Sequence, residues 1–158
     1  MKICLICPPG GHLDQLMSIK DAFKDQDIFF VTYSSETSGK LIDIRKIYYV
    51  KNPPKPNLLS VYIFYLIVYC IYLTLPFIKI LYEEKPDVII GCGGSVTLIM
   101  SYLGKLIGIK VIYLGSLTRV HNLSISDKLV LNISDLFLVQ WKGLADRYKK
   151  TKYWGKVI

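Results

Sequence analysis

Two short turns carry the residues whose types and spacing could do chemistry: Pro8-Pro9-Gly10-Gly11-His12 near the start of the chain, and Gly91-Cys92-Gly93-Gly94-Ser95 past its middle. Each stands between an unbroken apolar run and a stretch of helical period, as a strand, a glycine turn and a helix would. Backbone N–H groups exposed where a strand ends and a helix begins carry partial positive charge, and glycine lets an anion approach them with no Cβ in the way. A diphosphate suits that chemistry, with Gly10 and Gly11 on one side and Gly93, Gly94 and Ser95 on the other. His12 opens the first helix, where the dipole favours a neutral imidazole at pH 7 that can accept a proton as a general base. A turn that only reverses the chain, and a histidine that only caps or packs, explain the same residues taken singly. Neither turn matches G-x-G-x-x-G or a Walker loop, which argues against a bound dinucleotide or ATP, and no cofactor is expected.

Other patterns carry less. Cys4 and Cys7 form a C-x-x-C, but on an extended strand a spacing of three sends the two side chains to opposite faces, unlike redox and zinc pairs. Asp25-Gln26-Asp27 has the D-x-D form of some metal-dependent sugar-nucleotide sites, yet it lies among charged residues and reads as a solvated loop. No metal is expected. Asn122 and Asn132 head formal N-glycosylation sequons, which a cytoplasmic chain would leave unmodified.

The elements that must position these turns follow from apolar patterning. Lys2 to Cys7 ("KICLIC") reads as a strand buried on both faces, and Leu13, Leu16, Met17, Ile19, Ala22 and Phe23 as the helix after it. Asp27–Tyr33 and Lys46–Val50 read as two more strands on either side of the polar run "SSETSGK", and Asn52 to Asn57, with three prolines, as a boundary between elements. Pro86 to Ser95 repeats the opening design and leads into a helix from about Val96 to Ile107, with Leu98, Ile99, Tyr102, Leu103 and Leu106 assigned to its inner side. Lys110–Ser116 and Leu136–Trp141 supply two further strands, with a helix over Ser124–Ser134 between them. This alternation predicts an α/β fold, a Rossmann-like parallel sheet with helices on both faces and right-handed crossovers. At 158 residues the chain is expected to form a single domain, 1–158. Both glycine turns then lie at the carboxyl ends of strands, where open α/β sheets bind their ligands.

The net charge of +8 favours an anionic partner. Nucleic acid is disfavoured, because the basic residues are scattered apart from the tail Arg147–Lys156 and no zinc-finger or RNP-like pattern accompanies them. Asn57 to Ile78 is a stretch of 22 residues without a charge, flanked by Lys55 and Lys79. As a helix it would be about 33 Å long, enough to cross a bilayer core. Crossing would separate the strands before it from those after it, and no single sheet could then contain both. The expectation is a helix at about 57–82 that stays part of the domain and dips its outer side into the cytoplasmic leaflet, with Tyr62, Tyr65, Tyr69 and Tyr72 at headgroup level. A helix buried within a complex and, after it, a true span are the other readings. The opening residues lack the pattern of a signal peptide, which places the chain on the cytoplasmic face of the membrane.

Taken together and in order, "GGHLDQL", "PDVIIGCGGS", "KLIGIKVIYLGSLTRV" and "SDLFLVQW" resemble the Alg-fourteen/PssD group of oligosaccharide and capsular or exopolysaccharide biosynthesis proteins, over nearly the whole chain. The resemblance implies the N-terminal, acceptor-side half of a split GT-B glycosyltransferase. A separate catalytic subunit would then supply the nucleotide-sugar half, carrying UDP-GlcNAc or UDP-galactose. This chain would bind a lipid-linked diphosphate acceptor, anchor that partner to the membrane and complete the active site. Arg119 matches the family's arginine and could grip a phosphate bidentately. Gln140 and Trp141 match as well. Where the family has a glutamate after the fifth strand, this chain has Gly115, which carries no charge. A non-catalytic anchor of the partner, and a solitary Rossmann-like protein for a phosphorylated small molecule, are the alternatives.

Overall fold

In a computed structural model the described residues are 1–34, 44–51 and 62–157; of residues 62–68 and 70 only the backbone is described. Seven strands form one sheet: β1 (Lys2–Ile6), β2 (Asp27–Tyr33), β3 (Lys46–Val50), β4 (Val88–Cys92), β5 (Lys110–Leu114), β6 (Leu136–Val139) and β7 (Thr151–Tyr153). Their spatial order is β3-β2-β1-β4-β5-β6-β7, and every neighbouring pair is parallel. The helices are α1 (Gly11–Met17), α2 (Tyr62–Glu84), α3 (Gly94–Leu106), α4 (Ile125–Ile133) and α5 (Lys142–Arg147), with a 3-10 turn at Lys20–Phe23. The chain order reverses between β1 and β4, so the carboxyl ends of these two adjacent strands bound the crevice where such sheets hold ligands.

The sheet is buried on both faces, which is why its strands read as unbroken apolar runs. One face packs Cys4, Ile6, Phe29 and Ile89 against Leu73, Phe77 and Ile80 of α2 and Val96 and Met100 of α3. The other packs Ile3, Leu5, Phe30 and Ile90 against Leu13 and Leu16 of α1. Cys4 and Cys7 accordingly fall into cores on opposite faces.

Two expectations are corrected. The fully buried side of α3 is Val96, Thr97, Met100, Ser101 and Gly104; of the large residues assigned inward, Leu98, Ile99 and Leu103 pack partly buried against the core, while Leu106 is 81% exposed and Tyr102 lies at the surface. The cause is close approach to the sheet: a Cβ on Gly104 would stand 2.2 Å from Ile89 Cδ1, so small residues face β4 and the bulky ones turn sideways toward α2, α4 and solvent. On α4, Ile125 and Leu129 are exposed, while Asp127 and Val130 point inward. Tyr69 is buried among the core side chains of α2 and does not face lipid. Its hydroxyl pairs with Tyr33 OH and lies 2.7 Å from Ser95 Oγ, tying α2 to the first turn of α3. Tyr72 is exposed; the side chains of Tyr62 and Tyr65, the run "SSETSGK" beyond Ser34 and the segment "NPPKPN" lie outside the described residues.

The amino edge of the sheet is closed by charge rather than by apolar packing. Glu84, at the end of α2, accepts from Lys2 Nζ at 2.5 Å, from Tyr48 OH at 2.5 Å and from Lys46. Burial pushes its carboxyl up, but these hydrogen bonds outweigh it and bring the group down to about 2.

Candidate functional site

The first glycine turn leaves β1 through Pro8 and Pro9 and enters α1 at Gly10, which has φ 92° and ψ −148°, a conformation that only glycine adopts without strain. The carbonyl of Gly10 accepts from Leu13 and Asp14 N–H. By helix geometry the first amides, those of Gly11 and His12, have no acceptor within α1. A Cβ built on Gly10 or Gly11 would meet nothing within 4 Å, so this turn presents open backbone.

The second turn leaves β4 at Cys92 and enters α3 through Gly93 and Gly94, both at positive φ. Here the glycines make room for the first turn. A Cβ on Gly93 would stand 2.3 Å from His12 Cε1, and one on Gly94 would stand 2.8 Å from Pro8 Cγ. The imidazole and the proline ring thus lie directly on the second turn, and the two turns interlock across the β1–β4 crevice. Ser95 is exposed in the first turn of α3, its hydroxyl held by Tyr69.

His12 Nδ1 lies 3.6 Å from Cys92 Sγ. Burial pushes the Cys92 thiol up to about 12, with the charge of Asp127 adding to the shift, so the thiol stays neutral. Burial likewise lowers His12 below its ordinary value; Asp127 pulls it back up and Arg119 pushes it down. The imidazole is neutral at pH 7. In the tautomer that carries its proton on Nδ1, toward the sulfur, the lone pair on Nε2 can take a proton.

Arg119 follows β5 in a tight turn closed by its own N–H to Ser116 carbonyl at 3.0 Å. Its guanidinium is half exposed, with Nε 3.9 Å from Asp127 Oδ2. Asp127, which sequence reasoning missed, is one of two buried carboxylates among the described residues; the other, Glu84, sits at the opposite edge of the sheet. Asp127 accepts from Tyr113 OH at 2.6 Å and from Ser124 N–H at 2.9 Å. The sequence signal for it was Ser124-x-x-Asp127, which reads as a capping box and does cap α4.

Gln140 and Trp141 hold the loop after β5 in place. Gln140 Nε2 donates to Gly115 carbonyl at 2.9 Å and to Gln15 Oε1 at 2.7 Å, and Trp141 Nε1 donates to Leu117 carbonyl at 2.7 Å. Gln15 in turn donates to Gly11 carbonyl at 2.8 Å and accepts from Leu117 N–H at 2.7 Å, which joins the loop to the first glycine turn. Position 115 is narrow: a Cβ there would stand 3.1 Å from Leu138 carbonyl oxygen. Among the described residues, no three His, Cys, Asp or Glu side chains stand close enough together to hold a metal ion.

The family described as Oligosaccharide biosynthesis protein Alg14 like matches residues 3–157. The chain belongs to that family. An Alg14-like relative from Rattus norvegicus, named UDP-N-acetylglucosamine transferase subunit ALG14, is 26% identical over 186 residues, covering 99% of this chain and 82% of the relative. The protein of the same name from Debaryomyces hansenii is 44% identical over 89 residues, covering 51% of this chain but only 38% of its own length. Among solved structures, the Staphylococcus aureus MnaA–UDP complex superposes with a TM-score of 0.74 at 13% identity, over 99% of this chain and 44% of that one. Acinetobacter baumannii MurG superposes with a TM-score of 0.69 at 12% identity, over 90% of this chain and 42% of that one. The Alg14-like chain thus has the Rossmann-like fold of the N-terminal half of a GT-B glycosyltransferase.

Proposed function

We propose that this chain is the acceptor-side subunit of a two-component UDP-N-acetylglucosamine transferase, working on a lipid-linked diphosphate acceptor at the cytoplasmic face of a membrane. The observation that carries this is the crevice itself: open amides of Gly11 and His12, a neutral imidazole seated on Gly93, and Arg119 alongside, all at the chain reversal of a fold that spans under half of the solved structures it resembles. The diphosphate lies between the two turns and Arg119. His12 Nε2 takes the proton of the acceptor hydroxyl as its oxygen bonds to the anomeric carbon, and the bond from that carbon to UDP breaks. The nucleotide sugar is brought by a second subunit, a reading supported by the relatives' name, a subunit of a UDP-N-acetylglucosamine transferase.

The surface of α2 supports membrane contact. Ile71, Leu75, Ile78 and Tyr82 are exposed, and Leu106 of α3 and Ile107 just past it adjoin Ile78 and Tyr82 around an apolar hollow. Among the described residues no helix is long and apolar enough to cross a membrane; the reading taken is docking through the outer side of α2.

The test is transfer from UDP-N-acetylglucosamine to a lipid-linked diphosphate acceptor, in membranes that carry this chain with and without its candidate partner. Transfer should require both chains and fall about 100- to 10,000-fold in His12→Ala, the range for loss of a general base. Full activity in His12→Ala would leave this chain an anchor only.

A further inference from the structure

Asp127 is the buried charge of the site, and three elements converge on it. One carboxylate oxygen accepts from the Tyr113 hydroxyl on β5; the other accepts from Ser124 N–H and faces Arg119 Nε. Tyr113 is fully buried, and its hydroxyl oxygen faces the backbone of Gly93. A continuous path therefore runs from Arg119 through Asp127 and Tyr113 to the glycine on which His12 rests. Position 115 bears no side chain, so no acid reaches the site from the end of β5.

We propose that Asp127 is the positioning residue of the acceptor site: its carboxylate aims Arg119 at the diphosphate and, through Tyr113, fixes the Gly93 turn under His12. This deepens the acceptor-site reading above and rests on it. A plain helix cap would need only the Ser124 contacts. The Tyr113 hydroxyl and the Arg119 guanidinium add nothing to capping, yet both converge on the same carboxylate. The charged and titratable groups around His12 are Asp127 from α4, Arg119 from the loop after β5, Cys92 from β4 and Asp14 on its own helix. Removing the Asp127 carboxylate removes a charge that raises His12 against burial and Arg119.

The chain has two histidines, His12 and His121, so imidazole NMR on the full-length protein resolves His12 once His121→Gln has assigned the other signal. In Asp127→Asn the His12 titration should move to lower pH, and inorganic pyrophosphate should bind about tenfold more weakly, as for a lost hydrogen-bonded charge contact. Asp127→Gln, which keeps the capping-box pattern without the charge, should repeat both changes and serves if the asparagine variant unfolds. Ser124→Ala, which removes the cap hydroxyl but keeps the carboxylate, should lower Tm and leave both readouts unmoved. Unchanged His12 titration and pyrophosphate affinity in both neutral variants would overturn the proposal, as would equal changes in Ser124→Ala. Pyrophosphate binding that depends on Asp127, in a protein that transfers no sugar with its partner, would overturn the transferase reading and leave this one standing.

Discussion

Gly93→Ala separates the proposed catalytic seat of His12 from ordinary backbone strain. Gly93 has φ 65° and ψ 168°, a region open in practice to glycine alone, and forcing alanine into it costs about 1–3 kcal/mol. The new methyl would also lie 2.3 Å from His12 Cε1, where 3.4 Å is the near limit of ordinary contact, so the imidazole must retreat by roughly 1 Å. A displacement of that size at a reacting group lowers turnover about 100-fold. The control is Gly108→Ala, past the end of α3: its φ is 83°, but a Cβ there meets nothing within 4 Å. It carries a backbone penalty of about 1–2 kcal/mol and moves no side chain of the site. Thermal unfolding should therefore show both variants destabilised, while sugar transfer with the partner present should collapse in Gly93→Ala alone. Activities within threefold of each other, at a temperature where both proteins are folded, would refute the seating of His12 on Gly93.

Glu84→Gln should destabilise the chain by about 3 kcal/mol at neutral pH, the free-energy equivalent of a carboxyl lowered from 4.5 to about 2. Because the folded-state value lies below the ordinary one, this stabilisation is complete above about pH 4.5 and is lost as pH falls through about 2. Urea unfolding between those limits should show a slope in the parent that the variant lacks. On the outer side of α2, replacing the exposed Ile71 and Leu75 together by glutamate should release the chain from vesicles containing anionic lipid. Each lost apolar contact is worth about 1.5–3 kcal/mol and Tm should barely change, so unaltered vesicle binding would place the membrane contact elsewhere.

Much of the fold was legible because a parallel sheet covered on both faces leaves runs such as Lys2–Ile6 and Val88–Cys92 apolar without interruption. β7 was not legible: it lies in the basic tail, and of Thr151, Lys152 and Tyr153 only Thr151 is buried. The facing of α3 was misread for a related reason. Periodicity finds large apolar residues, whereas contact with the sheet at Ile89 demands a small one, Gly104. At the site, the glycine turns and His12 stand out by residue type. Asp127, Tyr113 and Gln15 do not, since a capping acid, a strand tyrosine and a helical glutamine each have ordinary local explanations, and only the folded sheet brings them together.

Pro8 and His12 lie more than 80 positions before the glycines they rest on. During synthesis, the chain therefore emerges with its candidate base well before the surface that holds it, and no fragment ending ahead of α3 can present the acceptor site. Catalytic competence in this chain would then report on completion of the sheet across the β1–β4 junction, so that a partially folded subunit reaching its partner would carry no premature activity.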